Sequence, residues 1–143
     1  AKKAIKHYNK CLKLIPNHWP THWLMGKVYQ ALHQDKNALN HFNKAIDIES
    51  TNPDLPREAS ITAMDCGNVN KAIQYSLEAI NRDPNDTGLQ CNHAINLMVN
   101  GEDDKAIYWI KKALDTDPDD IINQNAFALI TAVIENGASG IIL

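Results

Sequence analysis

Residues 22–50 read HWLMGKVYQALHQDKNALNHFNKAIDIES, and three small residues in this stretch, Gly26, Ala38 and Ala45, each belong to a row that returns every 34 residues. Ala38 falls in the row Ala4, Ala38, Ala72 and Ala106, Ala45 in Cys11, Ala45, Ala79 and Ala113, and Gly26 in Gly26, Ser60, Ala94 and Ala128. A further row, Pro16, Ser50, Pro84 and Pro118, closes each period. Rows that share one register mark a repeat array, in which each supersecondary unit buries its apolar face against the next.

Between the rows the apolar residues keep helical spacing. After the Gly67-Asn68 turn, Ala72, Ile73, Leu77 and Ile80 mark one face until Asp83-Pro84 stops the run, since proline inside a helix costs about 3 kcal/mol. Each unit therefore reads as a first helix, a turn, a second helix and a stop. The small row on the first helices faces the alanines on the second, so paired axes approach closely. Tyr8, Phe42 and Ile110 on second helices, with Tyr29 and Leu97 on first helices, fill the space between rungs. The expected boundaries are an unpaired second helix of a partial repeat at 1–18, full repeats at 19–52, 53–86 and 87–120, and a further first helix with a tail at 121–143. That makes about eight helices in an all-α array. The tail from Glu135 to Leu143, with Gly137 and Gly140, departs from the rhythm and is expected to be a truncated cap.

With 44% apolar and 22% charged residues, the chain has the composition of a folded domain. No apolar run approaches the ~20 residues of a membrane-spanning helix, so no membrane span is expected. Cys11, Cys66 and Cys91 are odd in number and widely spaced, which suits reduced thiols and a cytoplasmic setting. The chain opens on Ala-Lys-Lys, which reads as an excised segment.

These residues resemble the tetratricopeptide repeat, whose pattern is W-x2-L-G-x2-Y, then A-x3-F, then P. In the best unit His22, Met25, Gly26 and Tyr29 form the first half and Ala38 with Phe42 the second. Ser50 replaces the closing proline and His22 the leading aromatic. Pro56, Gln90 and Gln124 stand where that aromatic is wanted, and Ser76 where Phe42 sits, so those layers are expected to pack less tightly.

The resemblance implies a right-handed superhelical solenoid whose concave face is lined by the first helices and binds a protein or peptide segment. The implied groove positions are Trp23, Leu24, Lys27 and Gln30, then Asp54, Arg57, Glu58, Ile61 and Asp65. Next come Cys91, Asn92, Ile95, Met98 and Val99, and finally Ile122, Asn125, Leu129 and Val133. The partner contacts singled out are Trp23, Lys27, Arg57, Glu58, Ile61, Cys91, Asn92, Ile95 and Met98. Charged walls give way to apolar ones along this series, and Ile122, Leu129 and Val133 equally suit cover by a following segment. One variant of the family grips a chaperone's C-terminal carboxylate with a Lys, Asn, Asn, Lys, Arg set. Here Trp23 and Lys27 stand for the first two and Glu58 for the third. One unit later Arg57 and Asn92 fit, but Ile61, Ile122 and Ala126 do not. That clamp is not expected, although Arg57 with Asn92 suits a single acidic side chain.

Charge is uneven. Residues 1–45 hold eight lysines against one acid, a formal +7, while residues 46–143 sum to −10. Such polarity admits self-association through the incomplete N-terminal helix. The lysines Lys2, Lys3, Lys6, Lys10 and Lys13 lie on one helix with no basic stripe beyond it, so nucleic acid is not an expected partner. The six histidines are scattered. His18 and His22 are four apart without a third ligand nearby in sequence, and no metal or other cofactor is expected. The acids at 102–104 and 117–120 read as helix caps. Cys91 lacks a partnering base, so no catalytic residue is assigned. The expected function is a non-enzymatic interaction module; the alternative is a substrate-recruiting or scaffolding segment of a larger enzyme or assembly.

Overall fold

The computed structural model describes residues 1–137, so the expected cap beyond Gly137 lies outside the described residues. Eight helices occur among them: α1 (Lys2–Leu14), α2 (Trp19–Ala31), α3 (Asp35–Ile48), α4 (Asp54–Asp65), α5 (Val69–Arg82), α6 (Thr87–Val99), α7 (Asp103–Thr116) and α8 (Ile121–Asn136). They fall into two compact units, one from Ala1 to Arg82 and one from Asp83 onward.

In the first unit α2 packs on α3 and α4 on α5, with α3 also against α4 and α1 against α2. Ala38, Ala45, Ala72 and Ala79 are buried at these contacts. Gly26 lies so close to Phe42 that a Cβ added there would overlap the aromatic ring. The equivalent Ser60 gains a polar role as well, donating from Oγ to the Ala72 carbonyl at 2.9 Å. Ala72→Leu is therefore expected to overpack the α4–α5 contact and cost about 1–3 kcal/mol, read as a lowered midpoint in urea. An unchanged midpoint would contradict the close approach.

In the second unit α7 packs against both α6 and α8, and α6 also meets α8. Ala94, Ala106, Ala113 and Ile110 are fully buried. Ala128 differs from its row: it is exposed.

A row not read from the sequence sets each hairpin turn. His33, Gly67 and Gly101 are 34 residues apart and take φ of 57°, 79° and 77°. Each follows a first helix, and the next residue donates its N–H back to a carbonyl five positions earlier: Gln34 to Tyr29 at 2.9 Å, Asn68 to Ala63 at 2.8 Å, Glu102 to Leu97 at 2.9 Å. This left-handed C-terminal turn satisfies the last carbonyls of the helix and favours glycine.

Gln90 and Gln124, two of the positions expected to pack loosely, make polar clasps, as does His22 at the same place in the first full repeat. His22 Nε2 lies 3.0 Å from the Pro16 carbonyl, Gln90 Nε2 donates to Pro84 at 2.8 Å, and Gln124 Nε2 donates to Pro118 at 2.9 Å. Each ties the first turn of a first helix to the stop six residues before it. In the second repeat, where Pro56 and Ser50 hold these places, Arg82 takes over. Its guanidinium donates to the carbonyls of Ile46 at 3.1 Å, Glu49 at 2.9 Å and Asn52 at 3.0 Å, and its Nε pairs with Glu78 at 3.0 Å. Pro56 itself is fully buried, so this layer is also closed.

Candidate partner-binding site

The site in the first unit is built from α2 and α4. Positions three and four apart on a helix share a face, which sets Trp23, Lys27 and Gln30 along α2 and Asp54, Arg57, Glu58 and Ile61 along α4. Glu58 is the hub. Its Oε1 lies 3.4 Å from Lys27 Nζ and 3.8 Å from Arg57 Nη2. Its Oε2 accepts from Gln30 Nε2 at 3.1 Å, and the same amide nitrogen donates to Thr62 Oγ1 at 2.9 Å. Asp54 Oδ1 accepts from Arg57 Nε at 3.3 Å. The Glu58 side chain is 15% exposed, against 42% for Lys27 and 40% for Arg57. The carboxylate is thus the inner member, with its cations spread over it.

Trp23 divides its roles. Its ring packs against Phe42 at 5.1 Å between centroids, beside the core formed by Ala38, Phe42 and Ala59. Lys27 Nζ stands 5.8 Å from its ring centroid. Leu24 and Ile61 stay at the surface, 43% and 37% exposed. Arg57, expected to pair an acidic side chain together with Asn92, is already engaged by Asp54 and Glu58.

In the second unit Asn92, Ile95 and Met98 are half-buried along α6, with exposed Val99 at its end. Ile122, Asn125 and Leu129 are exposed on α8 and Val133 is half-buried. Cys91 corrects the sequence reading: it is buried, only 4% exposed, and burial pushes its thiol pKa up, with Asp120 adding to the effect. It is not presented to a partner.

The histidines form a different arrangement from the spacing reading. His18 Nδ1 pairs with Thr21 Oγ1 at 2.7 Å, while buried His22 turns to Pro16 and places its Nδ1 3.1 Å from His41 Nδ1. With Nε2–H donated to Pro16, His22 Nδ1 accepts and His41 donates. The Tyr29 ring stacks on His41 at 5.6 Å. Burial, then His22 and Lys44, lower the His41 pKa to about 4. Among the described residues no group of three or more His, Cys, Asp and Glu is placed to hold a metal. No helix among them is long and apolar enough to cross a membrane.

The capping role of the acids holds in part. Asp120 Oδ1 accepts from Ile122 N at 2.7 Å; Asp86, outside that set, also caps, its Oδ1 accepting from Leu89 N at 3.1 Å. Glu102 forms no cap; its carboxylate takes Asn100 at 3.0 Å and Lys105 at 3.2 Å.

The fold is a helical-repeat array of the tetratricopeptide type. The family model for the tetratricopeptide repeat matches residues 20–52, so that segment carries the repeat. The structure is similar to YrrB, described as a TPR protein with an unusual peptide-binding site. The TM-score is 0.80 at 23% identity, over 96% of this chain and 71% of that one. It is also similar to MamA, with a TM-score of 0.78 at 22% identity over 90% of this chain and 75% of that one. A third likeness is to the first TPR of Spaghetti (RPAP3) bound to an HSP90 peptide, with a TM-score of 0.71 at 14% identity over 82% and 93%. Among curated proteins none matches the sequence.

Proposed function

We propose that this chain is a protein–protein interaction module that holds a partner segment on the surface of its first helices. The observation that carries the reading is on α2 and α4. Large apolar side chains, Leu24 and Ile61, stay at the surface beside the half-exposed cations Lys27 and Arg57. Apolar anchors rimmed by polar groups are the composition of a recognition surface. The contacts in the first unit are Trp23, Lys27, Arg57, Glu58 and Ile61, and those in the second are Asn92, Ile95 and Met98. Peptide ligands in similar folds, as in the RPAP3 structure, support the reading.

Selection from a displayed library of ten-residue peptides tests it. A recurrent sequence family is expected to bind the parent chain. Affinity should fall at least tenfold on a Lys27→Glu/Arg57→Glu/Ile61→Asp variant whose far-UV spectrum and melt show that it folds. Equal affinity for both proteins would reject the first-helix surface of the first unit.

A further inference from the structure

Resting on that reading, we infer that Glu58 is the groove's own anion, a specificity-determining residue that fills the place a ligand carboxylate would take and turns acidic segments away. Three observations meet here. One oxygen of Glu58 is approached by cations from two helices, Lys27 of α2 at 3.4 Å and Arg57 of α4 at 3.8 Å. The other oxygen is held by the Gln30 amide at 3.1 Å. The carboxylate lies deeper than either cation, so it is the centre of the cluster.

Two cations and a side-chain amide converging on one carboxylate is how a protein receives an acidic group. In this chain the acidic group comes from the receptor itself. Asp54 on Arg57 completes the balance, so Lys27 and Arg57 face Glu58 and Asp54 with no formal charge left over. An arriving carboxylate would meet no net attraction and would have to displace an anion already tied at both oxygens. A neutral segment anchored on Leu24 and Ile61 meets no such barrier. The ligand class of this site is therefore an apolar segment without an acidic residue at its centre.

The test is Glu58→Gln, which keeps the shape and an oxygen to accept from Gln30 while removing the charge. The probe is acetylated hexaglutamate amide at low salt, followed by 1H–15N NMR at the Gln30 side-chain amide and the Lys27 and Arg57 backbone amides. Shifts at the α1 lysines, common to all proteins, serve as the internal control for loose attraction. In the parent these reporters are expected to stay still. In Glu58→Gln they should move saturably, with apparent affinity at least tenfold above the parent. Asp54→Asn changes net charge equally but leaves the seat filled, and should open the site far less than Glu58→Gln does. Glu58→Ser repeats the charge change should the glutamine variant fail to fold.

Reporters that stay still in both Glu58 variants, or move alike in parent and variant, would overturn the inference. So would equal opening by Asp54→Asn, which would make net charge the cause. The groove reading fails separately: the selected peptide would then leave Lys27, Arg57 and Ile61 unperturbed in the parent protein.

Discussion

Arg82→Met is expected to lower the stability of the protein by about 2–4 kcal/mol, because hydrogen bonds from a charged donor are worth about 1.5–3 kcal/mol and stranded acceptors add their desolvation. The side chain is only 5% exposed and its guanidinium serves three carbonyls, Ile46, Glu49 and Asn52, at 2.9–3.1 Å. These lie at and just after the end of α3, where helical carbonyls have no intrahelical partner. Methionine keeps the packing of the stem and removes every donor. Arg82→Lys should recover only part of the loss, since one ammonium does not reproduce the planar fork. Urea unfolding of the three proteins decides it. A methionine variant as stable as the parent would show that solvent satisfies those carbonyls equally well.

Acidification is expected to weaken the fold between pH 6.5 and 4. His41 and His93 both have folded-state pKa values lowered from 6.5 to about 4, in each case chiefly by burial. For His41, His22 and Lys44 add to the lowering; for His93, Glu102 opposes it and Lys105 adds to it. The unfolded chain therefore takes up these protons first. Stability is intact above pH 6.5, declines as pH falls through the window, and loses nothing more from these groups below 4. Allowing for the partial exposure of His41, the two together amount to about 2–4 kcal/mol. Glu49 and Glu102, held below the usual carboxylate range by their hydrogen bonds to Thr51 and Asn100, shift the balance in the same direction at lower pH. Thermal melts at pH 7, 5.5 and 4 should show a falling midpoint. A His41→Gln/His93→Gln variant should show a flatter dependence above pH 4.5. A steeper or unchanged slope in that variant would place the acid sensitivity elsewhere.

What was legible in the sequence was whatever a close helix contact forces. Alanine at 38, 72 and 106 and glycine at 26 are required where axes meet, so their period survives. The turn row His33, Gly67 and Gly101 was equally available, but His33 masked it by adopting a left-handed φ as a non-glycine residue. The row His22, Pro56, Gln90 and Gln124 looked like decay of an aromatic position. Its signal was chemical: three members carry a side-chain N–H, each with a proline six residues earlier, and the fourth loses both together.

The site was less legible because it depends on side chains crossing between helices. The resemblance to the repeat family set Lys27, Arg57 and Glu58 on the first-helix surface. That Glu58 occupies both cations follows only from the packing of α2, α3 and α4. Cys91 is buried for a related reason. The family pattern sets a position on a face without its neighbours, and α6 is packed by both α7 and α8, which leaves fewer of its positions open.

Chemical-shift mapping of the selected peptide on the parent protein locates the bound segment. Saturable shifts are expected at Lys27, Arg57 and Ile61 on α2 and α4, or at Asn92, Ile95 and Met98 on α6, with the second helices α3, α5 and α7 little changed. Shifts concentrated on those second helices or on α1 would contradict binding by the first helices.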